Sequence, residues 1–133
     1  MLRVVLDTNV LVSAIISDGK SRELLKRGIA NQYLLVTSDL ILKELVTVLR
    51  RPKFKTSEDE VHRTILALIR TADVVSVKTK LKAVKEDPKD DMIIETAVDG
   101  EADMIVTGDG HLLALETFRG IKILTVEKML ACL

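Results

Sequence analysis

Short apolar, β-branched runs alternate along this chain with longer segments of helical periodicity, and this alternation constrains the fold more than any other feature. Leu2–Leu6 is an apolar run of strand length. Val10–Ile16 reads as a helix started by Asp7-Thr8-Asn9 and broken by Asp18-Gly19. Ser21–Ala30 follows as a second helix with Leu24, Leu25 and Ile29 turned inward, and Tyr33–Thr37 is the next strand candidate. Ser38 or Asp39 caps a helix that runs to Leu49, with Pro52 marking its exit. Thr56–Glu60 opens another helix reaching Thr71, and Asp73–Val77 is a β-branched strand. A basic connector, Lys78–Lys85, can support a short helical arm; beyond it Pro88 suits a new helical start, and Asp91–Asp99 fits a helix ended by Gly100. Met104–Thr107 and Ile121–Leu124 read as strands, Leu112–Glu116 and Val126–Cys132 as helices. Strands separated by helices predict a parallel sheet covered on both faces, an α/β sandwich, and 133 residues suit a single domain spanning 1–133.

Composition narrows the function. A chain that is 47% apolar and 30% charged has the balance of a soluble globular domain. With Tyr33, Phe54 and Phe118 as its aromatics, it lacks a base-stacking platform. No apolar stretch approaches the roughly 20 residues of a membrane span, and the N-terminus carries no secretory pattern. Cys132 stands alone, which excludes an internal disulfide and a zinc cluster and points to the reducing cytoplasm. Net charge is zero but unevenly spread: Lys43–Lys85 holds eleven Lys/Arg against five acids, whereas Glu86–Asp109 holds nine acids against Lys89. Solvated helix faces explain such runs; so does a protein that meets a polyanion on one side and cations on the other.

Certain acids stand out by position. In an open parallel sheet, ligands gather outside the carboxyl ends of the strands. Asp7 and Asp109 each lie just past such an end, although helix capping explains Asp7 and a turn explains Asp109 when either is taken alone. Glu44 sits beside the apolar stripe Ile41, Leu45, Val48 and Leu49, where a carboxylate is costly without a partner. Asp91 opens a helix with Ile94, Ala97 and Val98 inward, and capping explains it as well as function does. Carboxylates that converge from separate segments repel and take up protons unless cations neutralise them. No Lys or Arg adjoins Asp7 in sequence, and oxygen ligands without a His/Cys cluster suit Mg²⁺ or Mn²⁺, which serve phosphoryl chemistry.

With these residues in view, the chain resembles the PIN-domain family, the metal-dependent ribonuclease fold of VapC-like toxins, along essentially its whole length. The resemblance rests on "VVLDTNVLVSA", on Glu44 in "SDLILKELVTVL", on Asp91 in "DPKDDMIIETAVDGEAD", and on "MIVTGDGHLL". It implies an α/β/α sandwich with a parallel, roughly five-stranded sheet and an acidic pocket of Asp7, Glu44, Asp91 and Asp109 as catalytic and metal-binding residues for Mg²⁺ or Mn²⁺. It also implies supporting roles around that pocket for Thr8, Asn9 and Thr107, for which capping or strand-end hydrogen bonding are equal explanations. Asp87, Asp90 and Asp91 compete for one place; helical phase with Ile94 and Val98 favours Asp91, and Asp90 is the reserve. Where the family often carries a second acid after the TGD motif, this chain has His111, which puts a second metal position in question or turns His111 toward the phosphate. His62 reads as a surface helix residue.

The activity implied is hydrolysis of single-stranded RNA, with Arg50, Arg51, Lys53 and Lys55 as candidates for backbone contacts or simply for solubility. An antitoxin protein is the implied partner, and homodimerisation is common in the family. The rival reading is a PIN-fold binding module acting through a protein partner or in RNA processing; loss of an acid would favour it, and none is lost. A phosphoacceptor domain would want a lysine after a late strand, where "MIVTGDG" offers an aspartate.

Overall fold

The computed structural model describes residues 1–81 and 88–133. The most apolar run becomes the central strand: β1 (Arg3–Leu6) carries Val4, Val5 and Leu6, each fully buried, as a strand covered on both faces requires. β2 (Leu34–Ser38) and β3 (Asp73–Val75) lie on one side of β1, and β4 (Met104–Val106) lies on the other. Beyond β4 come β5 (Thr117–Phe118) and β6 (Ile121–Leu124), giving the order β3-β2-β1-β4-β6-β5. All pairings are parallel except β5 with β6. Helices flank the sheet: α1 (Thr8–Ile16), α2 (Lys20–Ile29), α3 (Asp39–Leu49), α4 (Glu58–Thr71), α5 (Pro88–Asp99), α6 (Gly110–Leu115) and α7 (Val126–Cys132). None of the described helices is long and apolar enough to cross a membrane.

The α/β expectation holds, with differences that have local causes. The sheet has six strands rather than roughly five. The extra strand, β5, is a two-residue hairpin arm turned by Arg119 and Gly120, both at positive φ (50° and 81°). Two left-handed residues match the twist of a tight hairpin. α1 starts at Thr8 rather than Val10, α5 at Pro88 rather than Asp91, and β3 stops at Val75 rather than Val77. The connector forms no helix over Lys78–Leu81. Asp99 Oδ2 accepts from the backbone N–H groups of Lys78 (2.6 Å) and Thr79 (2.9 Å), and Glu95 Oε2 accepts from Leu81 N (2.7 Å). Its remainder, residues 82–85, lies outside the described residues, as does Asp87.

Two contacts fix α5 against the sheet. Arg3 reaches from β1 to the end of α5, its Nε donating to Gly100 O (2.9 Å) while its Nη2 pairs with Asp73 at 2.6 Å. Gly100 itself admits no side chain, since a Cβ there would lie 2.6 Å from Val36 Cγ1 and 2.9 Å from Thr96 O. Gly100→Ala therefore forces α5 away from β2. It is expected to cost about 1–3 kcal/mol in urea unfolding, the range for overpacking; an unchanged midpoint would contradict this packing.

Candidate metal centre

The centre of the sheet is where the site is built. Leu6 and Val106 pair at the carboxyl ends of β1 and β4, so the chain leaving each strand places Asp7 next to Thr107. Asp7 N donates to Val106 O (2.9 Å) and Thr107 N to Leu124 O (2.9 Å), which pins both exits. The Asp7 carboxylate, on a residue only 6% exposed, occupies the N-cap position of α1 yet makes no capping hydrogen bond. Its Oδ2 instead accepts from Thr107 Oγ1 at 2.6 Å. The same hydroxyl accepts from Asp109 N (3.0 Å), so its single proton is committed to Asp7. Capping does describe Asp109: its Oδ1 accepts from His111 N (2.8 Å) and Leu112 N (3.2 Å) at the start of α6.

The other side of the site comes from α3 and α5. Ser38 caps α3 by accepting from Ile41 N (3.2 Å), and its hydroxyl lies 2.8 Å from Thr96 Oγ1 on α5. Thr96 donates to Met92 O (2.9 Å), so the shared proton is that of Ser38. This buried hydroxyl pair sets one helix against the other. A cleft of about 240 Å³ results, lined by the carboxylates of Asp7, Glu44, Asp90 and Asp109 together with Thr8, Asn9 and Arg51.

Asp90, rather than Asp91, is the α5 acid among the described residues lining this cleft. The expectation for Asp91 assumed an inner face of Ile94, Ala97 and Val98. The structure buries Ile93, Ile94 and Ala97 and leaves Val98 half-exposed, which centres the inner face one residue earlier. Asp90 lies three and four residues before Ile93 and Ile94 and continues that face, and it is 5% exposed. Asp91 is buried as well but is not among the cleft residues.

Thr107 hydrogen-bonds the Asp7 carboxylate from just past the end of β4, and Thr8 and Asn9 line the cleft. The basic cluster divides. Arg51 lines the cleft, whereas Arg50 forks onto Glu58 (3.0 and 3.1 Å), Lys53 sits over the Phe54 ring at 5.0 Å, and Lys55 ends the short turn after α3 in a left-handed conformation. His62 is exposed on α4. Sequence reasoning missed Ser38–Thr96, a contact across 58 residues with no local signature, and it had no means of separating Arg51 from Arg50.

Burial pushes the Asp7 carboxyl above its ordinary value, outweighing the hydrogen bond from Thr107 and weaker help from the backbone of Asn9 and Thr8, and the neighbouring Asp109 adds to the rise. Thr8 Oγ1 is buried, on a residue 5% exposed, and has no hydrogen-bond partner among the described residues. Four carboxylates, among them a buried acid that resists ionising alone, line the cleft with a hydroxyl of unused capacity, and Asp90 and Asp109 stand with His111 at a spacing that suits a divalent cation.

An α/β sheet with acids gathered in one cleft at the carboxyl ends of its strands defines the class of protein. The chain belongs to the PIN-domain family, whose model matches residues 3–111. In fold it is similar to a chain of VapBC2 from Rickettsia felis, solved bound to a DNA fragment from their promoter (TM-score 0.64, 14% identity, covering 93% of this chain and 98% of that one). It is likewise similar to PAE2754 from Pyrobaculum aerophilum (TM-score 0.64, 17% identity, covering 98% and 88%). The search of curated sequences gave no significant match.

Two outcomes follow. Thr107→Val keeps the shape but strands the Asp109 N–H and the Asp7 carboxylate. It should cost about 1–3 kcal/mol in chemical unfolding, while Thr107→Ser recovers most of it; equal stability of all three forms would contradict the clamp. For pH, a raised folded pKa means the native state holds its proton longer than the unfolded chain. The Asp7 contribution is then full below 3.8 and is lost as pH rises through the raised folded value. Metal-free thermal melts should show this loss in the native sequence and not in Asp7→Asn.

Proposed function

We propose that this protein is a divalent-metal-dependent endoribonuclease that hydrolyses phosphodiester bonds in single-stranded RNA, of the kind found in VapC-like toxins. One observation carries the reading: Asp7, Glu44, Asp90 and Asp109 line a single cleft at the carboxyl edge of the sheet. These acids would hold one or two Mg²⁺ or Mn²⁺ ions, which when bound lower the pKa of a ligated water and neutralise charge on the leaving oxygen. The chain's own groups do the rest. Thr107 fixes the rotamer of Asp7 through its 2.6 Å hydrogen bond and ties it to the Asp109 backbone. Thr8 and Asn9 offer side-chain donors on the cleft wall, and Arg51 offers a cation there for the RNA backbone. Arg50, with its fork given to Glu58, contributes less. Water as nucleophile, rather than the ribose 2′-OH, leaves 5′-phosphate ends.

Family membership and the shared fold with a chain of VapBC2 support a partner protein of the antitoxin kind. The lone cysteine accords with a cytoplasmic setting, and homodimers follow from the family resemblance alone.

The test is cleavage of single-stranded RNA with Mn²⁺. Asp7→Asn and Asp90→Asn should each reduce the rate by about 100-fold or more, as expected when metal ligands are removed, while Asp91→Asn keeps most of it. Loss in Asp91→Asn with retention in Asp90→Asn would overturn the site, and 2′,3′-cyclic phosphate ends would overturn the mechanism. Arg51→Ala should weaken RNA binding and lower the slope of log affinity against log salt by about one; Arg50→Ala should change it little.

A further inference from the structure

An imidazole lies close to two of the acids that line the cleft. His111 is the second residue of α6, and its backbone N–H is tied to Asp109 Oδ1 at 2.8 Å. Its ring Nδ1 lies 3.9 Å from the same oxygen, and its side chain is 57% exposed, with room to turn. Asp90, Asp109 and His111 each present one ligand atom, and these atoms all lie within 4.8 Å of one another. Donors about 2.1 Å from a shared ion stand at most about 4.2 Å apart, so a small rotation of the exposed imidazole closes the set. A second feature points to a ligand in the same cleft: the buried Thr8 Oγ1, which has no hydrogen-bond partner among the described residues.

We propose that His111, Asp90 and Asp109 form a second cation position with mixed nitrogen and oxygen ligands, and that it selects a first-row transition-metal dication over Mg²⁺. This rests on the metal-dependent reading of the cleft and deepens it. Asp90 and Asp109 also line that cleft, so an ion held here would share them with the acids of the proposed site. Two carboxylates and a neutral imidazole balance one dication, whereas a third acid in place of His111 would add a charge to a cleft already crowded with them. Imidazole is a softer donor than carboxylate or water, and Mg²⁺ exchanges its water shell for such a donor reluctantly. Mn²⁺ accepts both ligand types and is the probe of choice.

The experiment is pulsed electron paramagnetic resonance (electron spin echo modulation) on the full chain loaded with Mn²⁺, beside calorimetric titrations with Mn²⁺ and Mg²⁺. The chain has two histidines, His62 and His111, so each can be removed in turn. The native protein should show ¹⁴N modulation from a bound imidazole, lost in His111→Ala and kept in His62→Ala. Since even an outer-shell partner is worth 10–100-fold in metal affinity, His111→Ala should weaken Mn²⁺ at this position by about tenfold or more and Mg²⁺ far less. Saturable Mn²⁺ binding without imidazole modulation, or modulation that vanishes with His62→Ala, would overturn the role of His111 and leave the acidic cleft standing. Absence of any Mn²⁺ binding would overturn both readings.

Discussion

The carboxylate of Asp7, buried at the middle of a parallel sheet, is the constraint around which the rest of the molecule is arranged. Burial opposes its ionisation, Asp109 opposes it further, and the Thr107 hydroxyl offsets only part of that. An acid in this position weakens the fold at neutral pH, a trade of stability that functional sites commonly carry. The backbone makes the position inescapable. β1 is the central strand, β4 is its parallel neighbour, and the first residue past β1 must emerge beside the first residue past β4.

Rigidity elsewhere keeps the remaining acids in place. α3 and α5 deliver Glu44 and Asp90, and both helices are tied to each other by the buried Ser38–Thr96 hydroxyl pair. The C-terminal end of α5 is held by the close approach of Gly100 to Val36 and by Arg3, which spans from β1 to Asp73 and Gly100. On the outer side, Asp99 and Glu95 accept backbone hydrogen bonds from the segment after β3. Acids near the same helix thus do different work: Asp99 and Glu95 order a loop, while Asp90 lines the cleft.

Much of this was legible from residues. The strands announced themselves as short β-branched runs, and Asp7, Glu44 and Asp109 were visible because each interrupts or flanks an apolar pattern. What was not legible depended on geometry beyond local spacing. Asp90 and Asp91 differ by 100° around a helix whose inner face includes Ile94 in either phase; only the burial of Ile93 and the partial exposure of Val98 settle which face is turned inward. β5 escaped because two residues carry no periodicity and its turn uses Arg119 where Asn or Asp would have been a signal. Arg50 and Arg51 are neighbours of identical chemistry, and their separation into an ion pair with Glu58 and a cleft residue is decided by where α3 ends.

The proposal stands or falls on whether these carboxylates share a divalent cation. Anomalous scattering from crystals soaked in Mn²⁺ tests it most directly. A strong peak is expected inside the cleft, within bonding distance of oxygens from Asp7 and at least two of Glu44, Asp90 and Asp109. Peaks confined to the outer surface at saturating Mn²⁺, with the cleft holding solvent alone, would contradict it.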